Sequence, residues 1–455
     1  MTFAPPKTLV GERVETRHCL VSPLMKNDPF KKPRTWCFST YFAEGLPYAI
    51  VRLMSSVFFT DIGMKERYIG YLNFLGIPWN LKFLWAPLLD IFGKKRTWMI
   101  CLQALLSLFI ACIACIDALI PAHGDTAVYG ALSAAVFVVL AFVAATNDIA
   151  IDGYYMEGLR DPREQALYTG YRVFAYRLGL ILVRSGFVGI AAFAAGRTTG
   201  ASRFAPWSYA FGAAALTMLC ITLFHAFKLP QFEARRTHAK VTAVAMLKKF
   251  GEAFITYSKQ ERFALVIVFI VVYKIGDELL FSMGTPFLMR ELGVTKAQFA
   301  WIGGFLGAFG AIAGTALGGI WIKKKGLKKS IWPLTVLMNF NIWAYIWLAF
   351  EKPSAASTAG IWTIALVHCY EQMAAGLGNA VLVVFILRTC KPEFKASHFA
   401  IGSAIMSLFS TFFGGFSGIV VEHIGYLHLF MCSFLVSIPS MMLLFWVPIK
   451  EEISK

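Results

Sequence analysis

The sequence predicts an all-α integral membrane protein, a bundle of twelve spans in two pseudo-symmetric six-helix halves. Its composition, its long apolar runs and the sorting of its basic residues carry that prediction. Of 455 residues, 58% are hydrophobic and only 15% are charged, where a soluble globular chain carries about a quarter. A spanning helix takes about 20 residues and must satisfy its backbone polar groups internally. Twelve such helices with short loops consume most of this length, so no separate soluble domain is expected.

The apolar runs fall near 36–60, 69–90, 97–119, 127–152, 166–195, 204–226, 262–289, 298–321, 331–350, 360–389, 397–420 and 427–449. They divide the chain into a tail (1–35), a first half (36–226), a central loop (227–261), a second half (262–449) and a short tail (450–455). The central loop carries Arg235, Arg236, Lys240, Lys248 and Lys249. A formal charge of +17 raises nucleic acid as a partner, and the placement of the charges argues against it. About 30 Lys and Arg sit in one alternating set of loops that includes both termini, and about 7 in the other, the positive-inside pattern of a membrane protein. Both termini and the central loop are therefore expected in the cytoplasm. No apolar segment followed by a small-residue cleavage site precedes the first run, so no cleaved signal peptide is expected.

Motifs narrow the class. Cys112 and Cys115 form a CxxC in an apolar run with no second pair, which reads as helix packing, and no metal or cofactor is assigned. There is no GxxxxGK[ST], so this chain is not expected to drive transport with ATP. HExxH and GxSxG are absent too, and no catalytic residue is assigned. The halves repeat weakly. Gly45-Leu46-Pro47 answers Gly284-Thr285-Pro286, Gly93-Lys94-Lys95-Arg96 answers Gly326-Leu327-Lys328-Lys329, Asn147 answers Asn379, and Gly170 answers Gly402. The offsets are all roughly 232–239 residues, which indicates an internal duplication at half-length. Six spans plus six around a basic loop is the major facilitator architecture, whose substrate site lies between the halves near the midplane.

Charge inside the runs marks the candidate site, because an ionisable group at mid-membrane costs about 2.5–3.5 kcal/mol on insertion scales. The first half carries Glu44, Arg52, Lys82, Asp148, Asp152, Arg172, Arg177 and Arg184; the second carries Lys274, Asp277, Glu278 and Glu371. Asp148 and Asp152 share a helix face, as do Lys274 and Asp277. The latter reads as a local pair. The former needs a partner from another span, with Lys82, Arg172 or Arg177 available, and structural and functional readings both stand. The first half is the cationic one, so a cavity between the halves suits a small anionic solute. Glu44 and Glu371 have no opposite charge within four residues on their own helix, which makes them proton-site candidates, with His368 one turn before Glu371. Glycines at small-xxx-small spacing, including Gly310/Gly314/Gly318 and Gly414/Gly418, read as helix-packing seams. Pro47, Pro78 and Pro286 read as kinks.

One family resemblance is specific. Lys82-Phe83-Leu84-Trp85-Ala86-Pro87-Leu88-Leu89-Asp90 with Gly93-Lys94-Lys95-Arg96 resembles the KFLW-[SA]-PL-x-D segment of AmpG-type muropeptide permeases. Asn147-Asp148-Ile149-Ala150-Ile151-Asp152, Tyr176-Arg177-Leu178-Gly179, Tyr273-Lys274-Ile275-Gly276-Asp277 and the stretch from Glu371 to Gly378 continue it in order. The resemblance covers about residues 36–447; acetyl-CoA transporters of the same superfamily share its first two motifs. It implies proton-driven import of GlcNAc-anhydroMurNAc peptides across a bacterial inner membrane for peptidoglycan recycling. It carries over Lys82, Asp148, Asp152, Arg177, Lys274, Asp277 and Glu371 as charged positions. Asp90 with Gly93, Lys94, Lys95 and Arg96 resembles the facilitator cytoplasmic gate. Glu44, Arg52, Arg172 and Arg184 are additions to the family pattern.

The expected function is thus a monomeric, non-enzymatic proton-coupled transporter in the lipid bilayer, working by alternating access. Arg52, Lys82, Arg172 and Arg177 are expected to meet substrate carboxylates. Glu44, Asp148, Asp152, Lys274, Asp277 and Glu371 are expected to form the proton-coupling or charge network. Three alternatives stand: a transporter of acetyl-CoA or another organic anion, a membrane transferase using His368 and Glu371, and a sensor on a transporter fold.

Overall fold

The computed structural model describes residues 32–449 apart from 92, 122, 160, 199, 233–242 and 392–393. Both predicted tails, except for residues 32–35, and Arg235, Arg236 and Lys240 of the predicted loop lie outside the described residues, as do the side chains of Asp90 and Lys249. Among the described residues the long elements are all helical and form twelve spans. Span 1 runs through Pro33–Ala49, a π turn at Ile50–Met54, and Ser55–Asp61. Span 2 is assembled from short pieces between Glu66–Tyr71 and Ala86–Ile91, with 3-10 turns at Leu72–Gly76 and Lys82–Leu84. Spans 3 and 4 are Lys95–Leu119 and Thr126–Gly158. Span 5 joins Pro162–Ile181, a π turn at Leu182–Phe187 and Val188–Ala195, and span 6 is Ala205–Lys228.

The second half repeats the plan. Span 7 breaks at Lys274 between Phe263–Tyr273 and Ile275–Pro286, then ends in a π turn at Phe287–Glu291. Span 8 comprises Lys296–Phe299, a π turn at Ala300–Leu306 and Gly307–Lys325. Spans 9 and 10 are Leu327–Glu351 and Thr358–Thr389. Spans 11 and 12 share Lys395–Leu443 and meet at Gly425, whose φ of 76° ends one helix and starts the next without a loop. The predicted central loop contains a further helix, Ala243–Ser258. Its buried Ala253 and Tyr257 pack on Ile401 at the start of span 11.

Local chemistry explains several boundaries. Asp125, Asp161 and Ser357 cap spans 4, 5 and 10 through backbone N–H groups at 2.8, 2.8 and 3.0 Å. The prolines at matching places in spans 1 and 7, Pro47 and Pro286, each stand just before a π turn. A proline gives no amide to the ladder, and the wider turn that follows takes up the register change.

The two ends of the bundle differ. The proximal end carries Pro33, where span 1 starts, and Leu443, where span 12 stops. The distal end carries the turns at 61–66, 291–296 and 424–426. At the distal end one apolar core runs through both halves, from Phe58, Phe137 and Phe211 to Phe287, Tyr345 and Phe430. At the proximal end each half has its own core, Trp36, Tyr154 and Tyr155 in the first and Phe269, Tyr273 and Phe385 in the second. Among the described residues three ion pairs join the halves, Glu66–Arg290, Asp61–Lys296 and Arg67–Glu422, and all lie at the distal end. Arg290 also donates to the carbonyls of Thr60 and Met64 at 2.8 and 2.7 Å.

Close backbone contact makes this lock possible. A Cβ at Gly70 would stand 2.8 Å from the backbone nitrogen of Gly418, and one at Gly418 would run into the carbonyl of Glu66. Gly418→Val should therefore part the distal ends of spans 2 and 11. The check is a cysteine placed at buried Ile69 in a background lacking the nine native cysteines. Its labelling by a hydrophilic maleimide should rise several-fold in the valine variant, whereas unchanged labelling would mean that this seam does not hold the distal end shut.

Candidate functional site

A cavity of about 360 Å³ lies between the halves. Spans 1, 2 and 5 supply one wall with Tyr48, Arg52, Trp79, Asn80, Arg177 and Arg184. Spans 7, 8, 10 and 11 supply the other with Lys274, Asp277, Glu278, Gln372, Asn379 and Thr411. A water-sized hollow of about 30 Å³ adjoins it, sharing Arg52, Arg184 and Gln372 and reaching His368 and Glu371. Asn80 Nδ2 donates to Thr411 Oγ1 at 3.0 Å, a direct bond across the two walls.

The four cations that the sequence places in one class divide into two pairs. Lys82 is ion-paired with Asp148, and Arg172 reaches Asp152 at 3.0 Å. Arg172 also lies over the rings of Tyr41 and Tyr155, at 4.2 and 4.3 Å from their centroids, and Tyr41 donates to Asp152 at 2.7 Å. Lys82 and Arg172 are not among the cavity-lining residues; they belong to a network inside the first half, with Glu44 beside Asp148. Arg52 and Arg177 do line the cavity. Arg52 donates to the carbonyl of Asn73 at 2.7 Å, and among the described residues neither arginine has a carboxylate within 4.0 Å. Arg184, which the sequence marks as embedded without a role, joins them. It is buried, lines both cavities, and its Nε has no hydrogen-bond partner.

Backbone geometry explains how Arg52 and Arg184 come to this wall. Each sits inside a π turn, Ile50–Met54 and Leu182–Phe187. The extra residue in such a turn breaks the i to i+4 register, and these bulges concentrate at functional sites. Nothing in hydropathy or spacing signals these turns.

The second-half acids also separate. Lys274, at the break in span 7, pairs with Asp277, as their spacing predicts. Glu371 lies 3.2 Å from His368 Nδ1 and accepts from Gln372 at 2.8 Å, while Tyr345 and His368 Nδ1 are 2.9 Å apart. One oxygen of Glu371 and one of Glu44 are buried without a hydrogen-bond partner. Glu278 lines the cavity, and among the described residues no ion pair or side-chain hydrogen bond reaches its carboxylate.

The residues resembling a cytoplasmic gate sit at the proximal end. Gly93 takes a φ of 82°, which turns the chain from span 2 into span 3. Lys94 is the N-cap position of span 3 and is exposed, whereas Lys95 is buried with its stem against Gly153. Arg96 donates to the carbonyls of Ala226 and Leu229 at 2.5 and 3.2 Å, closing the C-terminus of span 6.

Comparison with known proteins covers most of the chain. Residues 37–367 match the family model of the Major Facilitator Superfamily. The chain is 26% identical over 434 residues to the anhydromuropeptide permease of Escherichia coli strain K12, covering 91% of this chain and 80% of that protein. It is 24% identical over 423 residues to the putative transporter AmpG 4 of Rickettsia felis, covering 90% and 95%. Among solved structures, the D-xylose-proton symporter superposes with a TM-score of 0.66 at 13% identity, covering 91% of this chain and 97% of that one.

The ion network of the first half makes a stability prediction. Lys82→Gln leaves Asp148 buried beside Glu44 and should cost roughly 1–3 kcal/mol, discounted from a fully buried pair because Lys82 is one-third exposed. The Lys82→Gln/Asp148→Asn double variant should recover most of that loss. Thermal unfolding of the purified protein in one detergent checks it; additive losses would show that the pair does not act as a unit.

Proposed function

The chain belongs to the major facilitator superfamily, and from that premise we propose that it imports anionic muropeptides, GlcNAc-anhydroMurNAc peptides, across a bacterial inner membrane. The observation that carries this reading is the first-half wall, where Arg52, Arg177 and Arg184 face a cavity with no carboxylate of the described residues within 4.0 Å of any of them. A buried guanidinium without an anion is costly, and a solute carboxylate removes that cost. The relatives named for muropeptides and AmpG add weight to this solute over other organic anions.

Alternating access in this reading closes the cavity at one end of the bundle at a time. The distal lock is the periplasmic gate, shut in this conformation, and the separate proximal cores let the halves part toward the cytoplasm. Both termini are cytoplasmic, as the loop charges require. Glu44 and Glu371 are the proton sites, each with a buried oxygen open to a proton or a water. Asp148, Asp152, Lys82 and Arg172 hold the first half together as a rigid body, and Asp90 with Gly93 to Arg96 forms the cytoplasmic gate. Lys274 and Asp277 do the same for the broken span 7.

Uptake of radiolabelled GlcNAc-anhydroMurNAc-tripeptide into right-side-out vesicles tests this. Accumulation should occur and a protonophore should abolish it. Arg177→Gln should raise KM about tenfold, the loss of one charge-assisted hydrogen bond, whereas Lys82→Gln should lower the amount of folded carrier without changing KM. Absence of uptake by folded, inserted protein would sink the muropeptide reading. Uptake of acetyl-CoA instead, weakening steeply with salt, would move the wall's anion from carboxylate to phosphate.

A further inference from the structure

One charged group on the cavity wall has no role in anion binding. Glu278 stands on span 7, on the second-half wall, across from the arginines of the first half. Its neighbours are accounted for. Lys274 is committed to Asp277, and Arg52 donates to the carbonyl of Asn73. Both are cations near Glu278, yet neither comes within 4.0 Å of it. Asp277, one residue before it, is an acid and adds no compensation. Span 11 packs on the stem of Glu278 from the other side: a Cβ at Gly414 would stand 3.3 Å from its Cγ. Among the described residues the cavity therefore has a carboxylate outside any ion pair on one wall and guanidinia outside any ion pair on the other.

A solute that is only anionic would satisfy the arginines and leave Glu278 facing it with like charge. A solute that also carries a primary ammonium satisfies both walls. We propose that Glu278 is the ammonium site of this transporter and that its solute is dipolar, with carboxylates on Arg177 and its neighbours and an amine on Glu278. This rests on the muropeptide reading and deepens it. It makes the peptide stem, through a free amine on its third residue, a recognised part of the solute rather than a passenger on the sugar. Because the two walls belong to different halves, such a solute also ties the halves together, which a bound sugar carboxylate alone does not.

The test compares three probes on the purified full-length protein by titration calorimetry: the bare disaccharide, the disaccharide-tripeptide with a free third-residue amine, and the same tripeptide N-acetylated on that amine. Wild type should bind the free-amine form about tenfold tighter than the acetylated one. Glu278→Gln should abolish that preference by weakening the free-amine form, while the acetylated probe and the bare disaccharide bind at least as tightly as to wild type because a like charge is gone, which also shows the variant to be folded. Glu278→Asp should retain a reduced preference. Equal binding of the amine and acetylated forms by wild type, or a preference that survives Glu278→Gln, overturns the ammonium site alone. Failure of wild type to bind any of the three probes overturns the muropeptide reading and this proposal with it.

Discussion

A charge inside a lipid-embedded bundle must be met by an opposite charge or by a polar cavity, and that constraint organises this protein. Where the chain meets a charge internally it builds rigidity. Lys82 with Asp148, Arg172 with Asp152 and Tyr41, and Lys274 with Asp277 each tie spans or span fragments together within one half. Four charges outside any ion pair among the described residues, Arg52, Arg177, Arg184 and Glu278, lie on the wall between the halves. Asp117 is an exception that stays inside one half, buried in span 3 with neither oxygen hydrogen-bonded.

The same division appears in the apolar contacts. One core crosses between the halves at the distal end, and two separate cores occupy the proximal end. Helix association in lipid draws on close packing rather than on removal of surface from water. The distal seam is accordingly built where side chains are missing, with Gly70 against Gly418 and Gly304 against Ser185. Ion pairs at Glu66, Asp61 and Glu422 add direction to a contact that glycine alone leaves free to slide. Gly310 and Gly314, by contrast, lie against Cys369 and Met373 of span 10, inside the second half. Small-residue spacing therefore announces a close contact without saying whether that contact is fixed or part of a gate.

The fold was legible because its signals are long. Apolar runs, loop charge and a half-length repeat each average over many residues, so small errors at span ends do not matter. The site was legible only as a set of embedded charges. Its division into paired and unpaired members was not, because pairing depends on neighbours from other spans. Lys82 and Arg177 look alike in sequence, yet one meets a carboxylate and the other faces a cavity. Arg184 had no role assigned from the sequence, and the π turn that holds it, like the one that holds Arg52, leaves no mark on hydropathy or spacing. Tyr48 and Trp79, edge-to-face at 5.3 Å on the cavity wall, had no signal at all among 41 Phe, 16 Tyr and 12 Trp. The helix at Ala243–Ser258 was hidden because its lysines give it the basic character of a cytoplasmic loop.

Span 7 connects the two sets of interactions. Its break at Lys274 and its π turn at Phe287–Glu291 bound a regular segment, Ile275–Pro286, which carries Glu278 near one end. Arg290, the centre of the distal lock, lies in the π turn just beyond the other end. Twelve residues separate Glu278 from Arg290, about 18 Å at the helical rise. One regular segment thus carries a cavity-wall carboxylate near one end and leads into the π turn of the distal ion pairs at the other. Pro286 stands where that segment meets the π turn and gives no amide to the ladder there. The wall between the halves and the seam that joins them are therefore neighbours along a single span, each at an irregular turn of span 7.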